Sequence, residues 1–113
     1  MPGDKRTFDR DAALARVGGD AELLKELAEL FLQEYPRSLA QLHAALEHQD
    51  PQGVQTAAHG LKGAVANFGA KPVVDAARCL ETLGREARLE AAPEALAALE
   101  LAVASLHTEL AEL

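Results

Sequence analysis

Apolar residues recur along this chain at helical spacing, and turn-forming residues cut the pattern into segments. After a polar start, Phe8 to Val17 is a short amphipathic stretch ended by Gly18-Gly19. Asp20 is then placed to cap a long helix, with acidic Glu22 in its first turn. The apolar stripe of that helix runs through Leu24, Leu27, Phe31, Tyr35, Leu39, Leu42 and Leu46, in steps of three or four. Pro36 falls within the stripe and removes one hydrogen bond to Leu32, so a kink is expected there. The stripe keeps its phase across the proline, which predicts one bent helix.

Asp50-Pro51 restarts the chain with a cap residue followed by proline at the first helical position. The third helix carries Val54, Ala58, Leu61, Val65 and Phe68 and stops at Gly69. Pro72 opens a fourth, with Val73, Ala77, Leu80 and Leu83, and Pro93 a fifth, with Leu96, Leu99, Val103, Leu106 and Leu110. No stretch alternates as a strand does over comparable length. The expectation is an all-α fold: an up-down four-helix bundle with a short extra N-terminal helix and a kinked second helix. Residues 8–113 would form a single domain, preceded by a flexible N-terminus of residues 1–7.

Composition agrees with this picture. Ala and Leu supply most of the apolar mass, aromatics make up only 4%, and there is no Trp. The net charge of −7 argues against nonspecific binding to nucleic acid or anionic membrane. Residues 51–90 nevertheless carry five basic against four acidic side chains, a weakly basic island that suits an acidic partner or phosphate. Cys79 has no intrachain partner, and its neighbours Ala76, Ala77 and Leu80 suggest a small buried thiol. No signal peptide or membrane span is legible, so the expected location is the cytoplasm. His43, His48 and His107 read as surface or boundary residues, and Leu30 and Leu101 fall off their main stripes.

The third helix departs from this ordinary pattern. With residues 51–68 projected at about 100° per residue, the apolar side chains cluster within about ±40° of one direction. His59 lies roughly 150° away, on the outer side. Gln52, Gln55, Lys62, Gly63 and Ala66 share its face. Gly60 and Gly63 stand inside the helix, where each glycine costs up to ~1 kcal/mol relative to alanine. Gly63, one turn after His59, leaves the imidazole edge open, unless it serves close helix packing instead. Lys62 brings a positive charge to the same place. A nucleophilic imidazole, an adjacent cation and a cleared approach are what a phosphoryl acceptor requires.

Ala58-His59-Gly60-Leu61-Lys62-Gly63, followed by Gly69-Ala70, resembles the signature of histidine-containing phosphotransfer (HPt) domains of bacterial two-component phosphorelays. Average residue frequencies put a chance His-x-Leu-Lys-Gly in such a chain at roughly one in a thousand. The likeness extends to Phe8-Asp9, Val17-Gly18-Gly19-Asp20, Leu30-Phe31, Tyr35-Pro36 and Cys79-Leu80-Glu81. Two positions differ from the commonest pattern: Gly60, where a larger or hydroxylic residue is frequent, and Ala64, where Ser is frequent.

The resemblance implies that His59 accepts a phosphoryl group from a receiver-domain aspartyl phosphate, or from a histidine kinase, and passes it to a response-regulator aspartate. Lys62 and Gly63 map onto the supporting basic and glycine positions. No glycine-rich phosphate loop is present, so a carrier without an ATP site is implied, not an autonomous kinase. The domain itself would need no cofactor, the Mg²⁺ belonging to the receiver. Receiver domains of response regulators or hybrid kinases would dock on a rim of Gln55, Lys62, Ala66, Lys71 and Arg78, with the carrier a monomer. Two other readings compete: a helical adaptor that binds receivers without carrying phosphate, and a metal- or ligand-binding bundle enzyme. The second would need polar groups inside the bundle, and the inward stripes show almost none.

Overall fold

A computed structural model describes residues 7–113. The order of elements is α1 (Arg10–Arg16), α2 (Ala21–Glu47), α3 (Pro51–Ala66), α4 (Lys71–Arg85), a 3-10 turn (Leu89–Ala91) and α5 (Ala92–Ala111). Among the described residues there is no strand. Asp9, Asp20 and Asp50 each cap a helix by accepting a hydrogen bond from the backbone N–H three residues on. α2 runs unbroken through Pro36. The boundaries fall within a residue or two of those read from the pattern, as helix ends commonly do. Of the expected flexible segment 1–7, residues 1–6 lie outside the described residues. Thr7 is buried, and the N–H groups of Thr7 and Phe8 both donate to the Glu109 carboxylate, at 2.9 and 2.8 Å.

The four long helices pack in a ring: α2 on α3, α3 on α4, α4 on α5, and α5 back on α2. Each turns its predicted stripe inward. Leu24, Leu42, Val54, Leu61, Val65, Val73, Leu80, Leu99, Val103 and Leu106 are all buried. Burying each such side chain contributes about 1.5–3 kcal/mol. Aromatic rings close one end, with Phe68 tilted on Phe31 at 5.5 Å and edge-on to Phe8 at 6.3 Å. The α3–α4 turn is drawn against the start of α1, where Asp9 N–H donates to the Phe68 carbonyl at 3.1 Å. Gly69 there has φ +59° and no room for a Cβ, which would fall 2.9 Å from that of Asp9. No described helix is long and apolar enough to cross a membrane.

One expectation is corrected. Cys79 is exposed, not buried. The inward face of α4 is Val73, Ala77, Leu80, Glu81 and Gly84. Cys79 is turned about 100° from Leu80 and about 200° from Ala77, so its apolar sequence neighbours are not its spatial ones. The same face carries one polar group, the carboxylate of Glu81, buried among those apolar residues.

Candidate functional site

His59 stands near the middle of α3 with its side chain 69% exposed. Its Nδ1 lies 2.7 Å from Oε2 of Glu81 on α4, and Nζ of Lys62 lies 2.5 Å from Oε1 of the same carboxylate. Both oxygens of one glutamate are therefore occupied, one by the imidazole and one by the ammonium. The Lys62 ammonium holds the Glu81 carboxyl below the usual glutamate range, against the upward push of burial and with further help from His59. An ionised carboxylate has no proton to give, so the hydrogen bond requires the proton on Nδ1. In the neutral ring, Nε2 then carries the lone pair.

The backbone explains how a short glutamate reaches across. α3 and α4 make the most extensive helix contact in the molecule. At Gly84 the α4 backbone comes so near Gln55 and Pro51 that no Cβ would fit. One turn along, Glu81 is thereby brought under His59 and Lys62. Beyond the ring the approach is clear: a Cβ at Gly60 or Gly63 would meet nothing within 4 Å. Gly63 thus does not serve close helix packing, the structural alternative its sequence position allowed.

The remaining predicted rim residues are less uniform. Gln55 and Ala66 are half-buried on α3. Lys71 and Arg78 are exposed on α4 but both turn to Asp75, at 3.1 and 3.4 Å, so part of their charge is offset locally. On the other flank of His59, a groove between α2 and α3 is lined by small or uncharged residues such as Ser38, Gln41, Ala44, Thr56 and Gly60, with His48 and Asp50 also on its wall. A second pocket, lined by Phe8, Arg10, Lys25, Glu109 and Leu113 among others, includes no residue of α3 or α4. No group of three or more metal-ligating side chains converges among the described residues.

The residue that sequence reasoning missed is Glu81. Its signal was present: a carboxylate four residues after Ala77 and three before Gly84, on the inward stripe. A charge in that position asks for partners.

The Hpt domain family model matches residues 26–109. The chain belongs to the Hpt domain family, and it is a histidine phosphotransfer module of a phosphorelay. Its interactions are accordingly with receiver domains or kinases. A search of the curated proteins found no match. Among solved structures, the chain is similar to histidine-containing phosphotransfer protein B (HptB) from Pseudomonas aeruginosa PAO1. The TM-score is 0.88 at 24% identity, over 96% of this chain and 95% of that one. At that identity the likeness speaks for the fold.

Proposed function

We propose that His59 is the residue that carries the phosphoryl group. Its Nε2 attacks the phosphorus of a receiver-domain aspartyl phosphate, or of a phosphorylated kinase, and the group later leaves for a response-regulator aspartate. The observation that carries this reading is the Nδ1–Glu81 hydrogen bond, which turns the lone pair of an exposed ring outward. Lys62 offsets part of the charge of the incoming phosphate. Gly63, with Gly60, leaves the approach clear. The domain works without a cofactor of its own, the Mg²⁺ sitting on the receiver, and as a carrier, not a kinase.

Docking uses the surface around His59: Gln55, Lys62 and Ala66 on α3, Lys71 and Arg78 on α4. Small side chains there admit a partner, while the cations steer toward an acidic receiver pocket. Residues 8–113 act as one domain, a monomer in the cytoplasm. The architecture is read as an up-down four-helix bundle, supported by the ring of helix contacts and the antiparallel pairing of His43 with Glu100 and Tyr35 with His107. A bend at Pro36 follows from its missing hydrogen bond.

Phosphoryl transfer from a panel of phosphorylated receiver domains to the wild type and to His59→Gln tests the assignment. Acid-labile, base-stable label on the wild type alone supports it. Label that persists in His59→Gln overturns it, and receiver binding without any label in either protein supports an adaptor instead.

A further inference from the structure

His59 stands between two unlike flanks. On α4, Lys71, Asp75 and Arg78 form a charged cluster. On the side of α2 lies a groove that reaches Gly60, the residue next to His59. Gln41 and Ala44 of α2 and Thr56 and Gly60 of α3 form its exposed rim, and Ala45 and Ala57 its floor. We propose that Gly60 is a specificity-determining residue for phosphoryl transfer. Carrying no side chain, it joins the groove to the approach to His59, and the groove receives an aliphatic side chain that a docked receiver presents beside its aspartate. This rests on His59 being the acceptor.

The groove is a wedge. Near the α2–α3 turn it is closed, where a Cβ on Gly53 would lie 3.0 Å from that of Ala45 and 2.6 Å from Oδ2 of Asp50. Further along α3, a Cβ on Gly60 would meet nothing within 4 Å. The seam therefore opens toward the reacting histidine. A rise of about 1.5 Å per residue puts the closed end only about 10 Å from Gly60. Whatever fills the groove is thus close to the aspartate that exchanges phosphate with His59.

The lining selects the occupant. Around Gly60 no lining side chain is charged. Asp50 and His48 lie at the closed end and are engaged locally. Asp50 accepts from the Gly53 N–H at 3.0 Å, and His48 Nδ1 lies 2.7 Å from the Ala44 carbonyl oxygen. An ion pressed into the open end would lose water and gain no counter-charge, whereas an aliphatic group gains contact with the two alanines. Such a groove discriminates twice, by contact with a fitting receiver and by desolvation against a charged one. The α4 flank acts differently, because its cations steer any acidic receiver. Gly60 decides whether the groove is usable, since a larger side chain would fill its open end. It is also a position where this chain departs from the commonest HPt pattern.

The test uses the full chain, as wild type, Gly60→Leu and Ala44→Leu, with a panel of phosphorylated receiver domains and with phosphoramidate as donors. Both positions are exposed, so neither leucine disturbs the core. Ala44→Leu narrows the groove from α2, without covering the imidazole. For the receiver that the wild type prefers, kcat/KM should fall at least about tenfold in both variants, through KM, while poorly used receivers change less than about threefold. An equal slowing of every receiver, the mark of a merely obstructed imidazole, would overturn the proposal, and so would unchanged ratios in Ala44→Leu. In amide NMR of the wild type, the preferred receiver, unphosphorylated, should move Ala44 and Thr56. Shifts confined to α4 and the His59 face of α3 would count decisively against the groove. A wild type labelled by phosphoramidate but by no receiver overturns the proposal and leaves His59 standing. Label from phosphoramidate that persists in His59→Gln brings down the assignment beneath it.

Discussion

A Cβ built on Gly84 would lie 2.6 Å from the backbone nitrogen of Gln55 and 2.7 Å from the carbonyl oxygen of Pro51. Both obstacles are main chain, which cannot swing aside as a side chain can. Replacing Gly84 with Ala should therefore push α4 off α3 and destabilise the fold by about 1–3 kcal/mol. Because Glu81 is one turn away, phosphoryl uptake at His59 should slow as well. Urea denaturation measures the first effect, and an unchanged midpoint would show that the helices do not depend on this contact.

Gly60 and Gly63 predict the opposite sign. Their Cβ positions are open, so alanine at either should raise stability by about 0.5–1 kcal/mol through helix propensity alone. Gly63→Gln should fold normally yet slow transfer by at least about tenfold, a barrier increase of about 1.4 kcal/mol, by filling the approach to the imidazole. A bulky residue at position 63 that left the transfer rate intact would refute the access role of this glycine.

Acid stability follows from Glu81. Its folded-state pKa is depressed, so its ionised form contributes stability that is present above the ordinary glutamate value and is lost as pH falls through the lower folded value. Glu81→Gln should flatten the stability–pH curve in that acid window, as measured by thermal melts. Lys62→Met removes the main cause of the depression and leaves the carboxylate with one partner fewer. It should cost about 1–3 kcal/mol near neutral pH and move the acid loss upward.

Asp75 governs the charges proposed to steer a receiver. It pairs with both Lys71 and Arg78, so Asp75→Asn should free them and speed transfer from an acidic receiver at low salt. Lys71→Glu should slow transfer and reduce its salt sensitivity. Stopped-flow transfer rates across a salt series check both, and no change in either would sink the docking surface.

What the chain determined by itself is whatever depends on neighbours within one or two helical turns. Asp20 and Asp50 cap helices through the backbone N–H three residues on, and the stripes of α2, α3 and α5 follow from a fixed rotation per residue. The exposed face holding His59, Lys62 and Gly63 was legible for the same reason. What only the tertiary structure decided is the meeting of residues far apart in sequence. Cys79 was misread because nearness along α4 is not nearness in space. Glu81 became the shared partner of His59 and Lys62 only through the phase in which α4 lies against α3. The close approach at Gly84 sets that phase, and no local rule contains it, since it is a property of two helix surfaces fitted together.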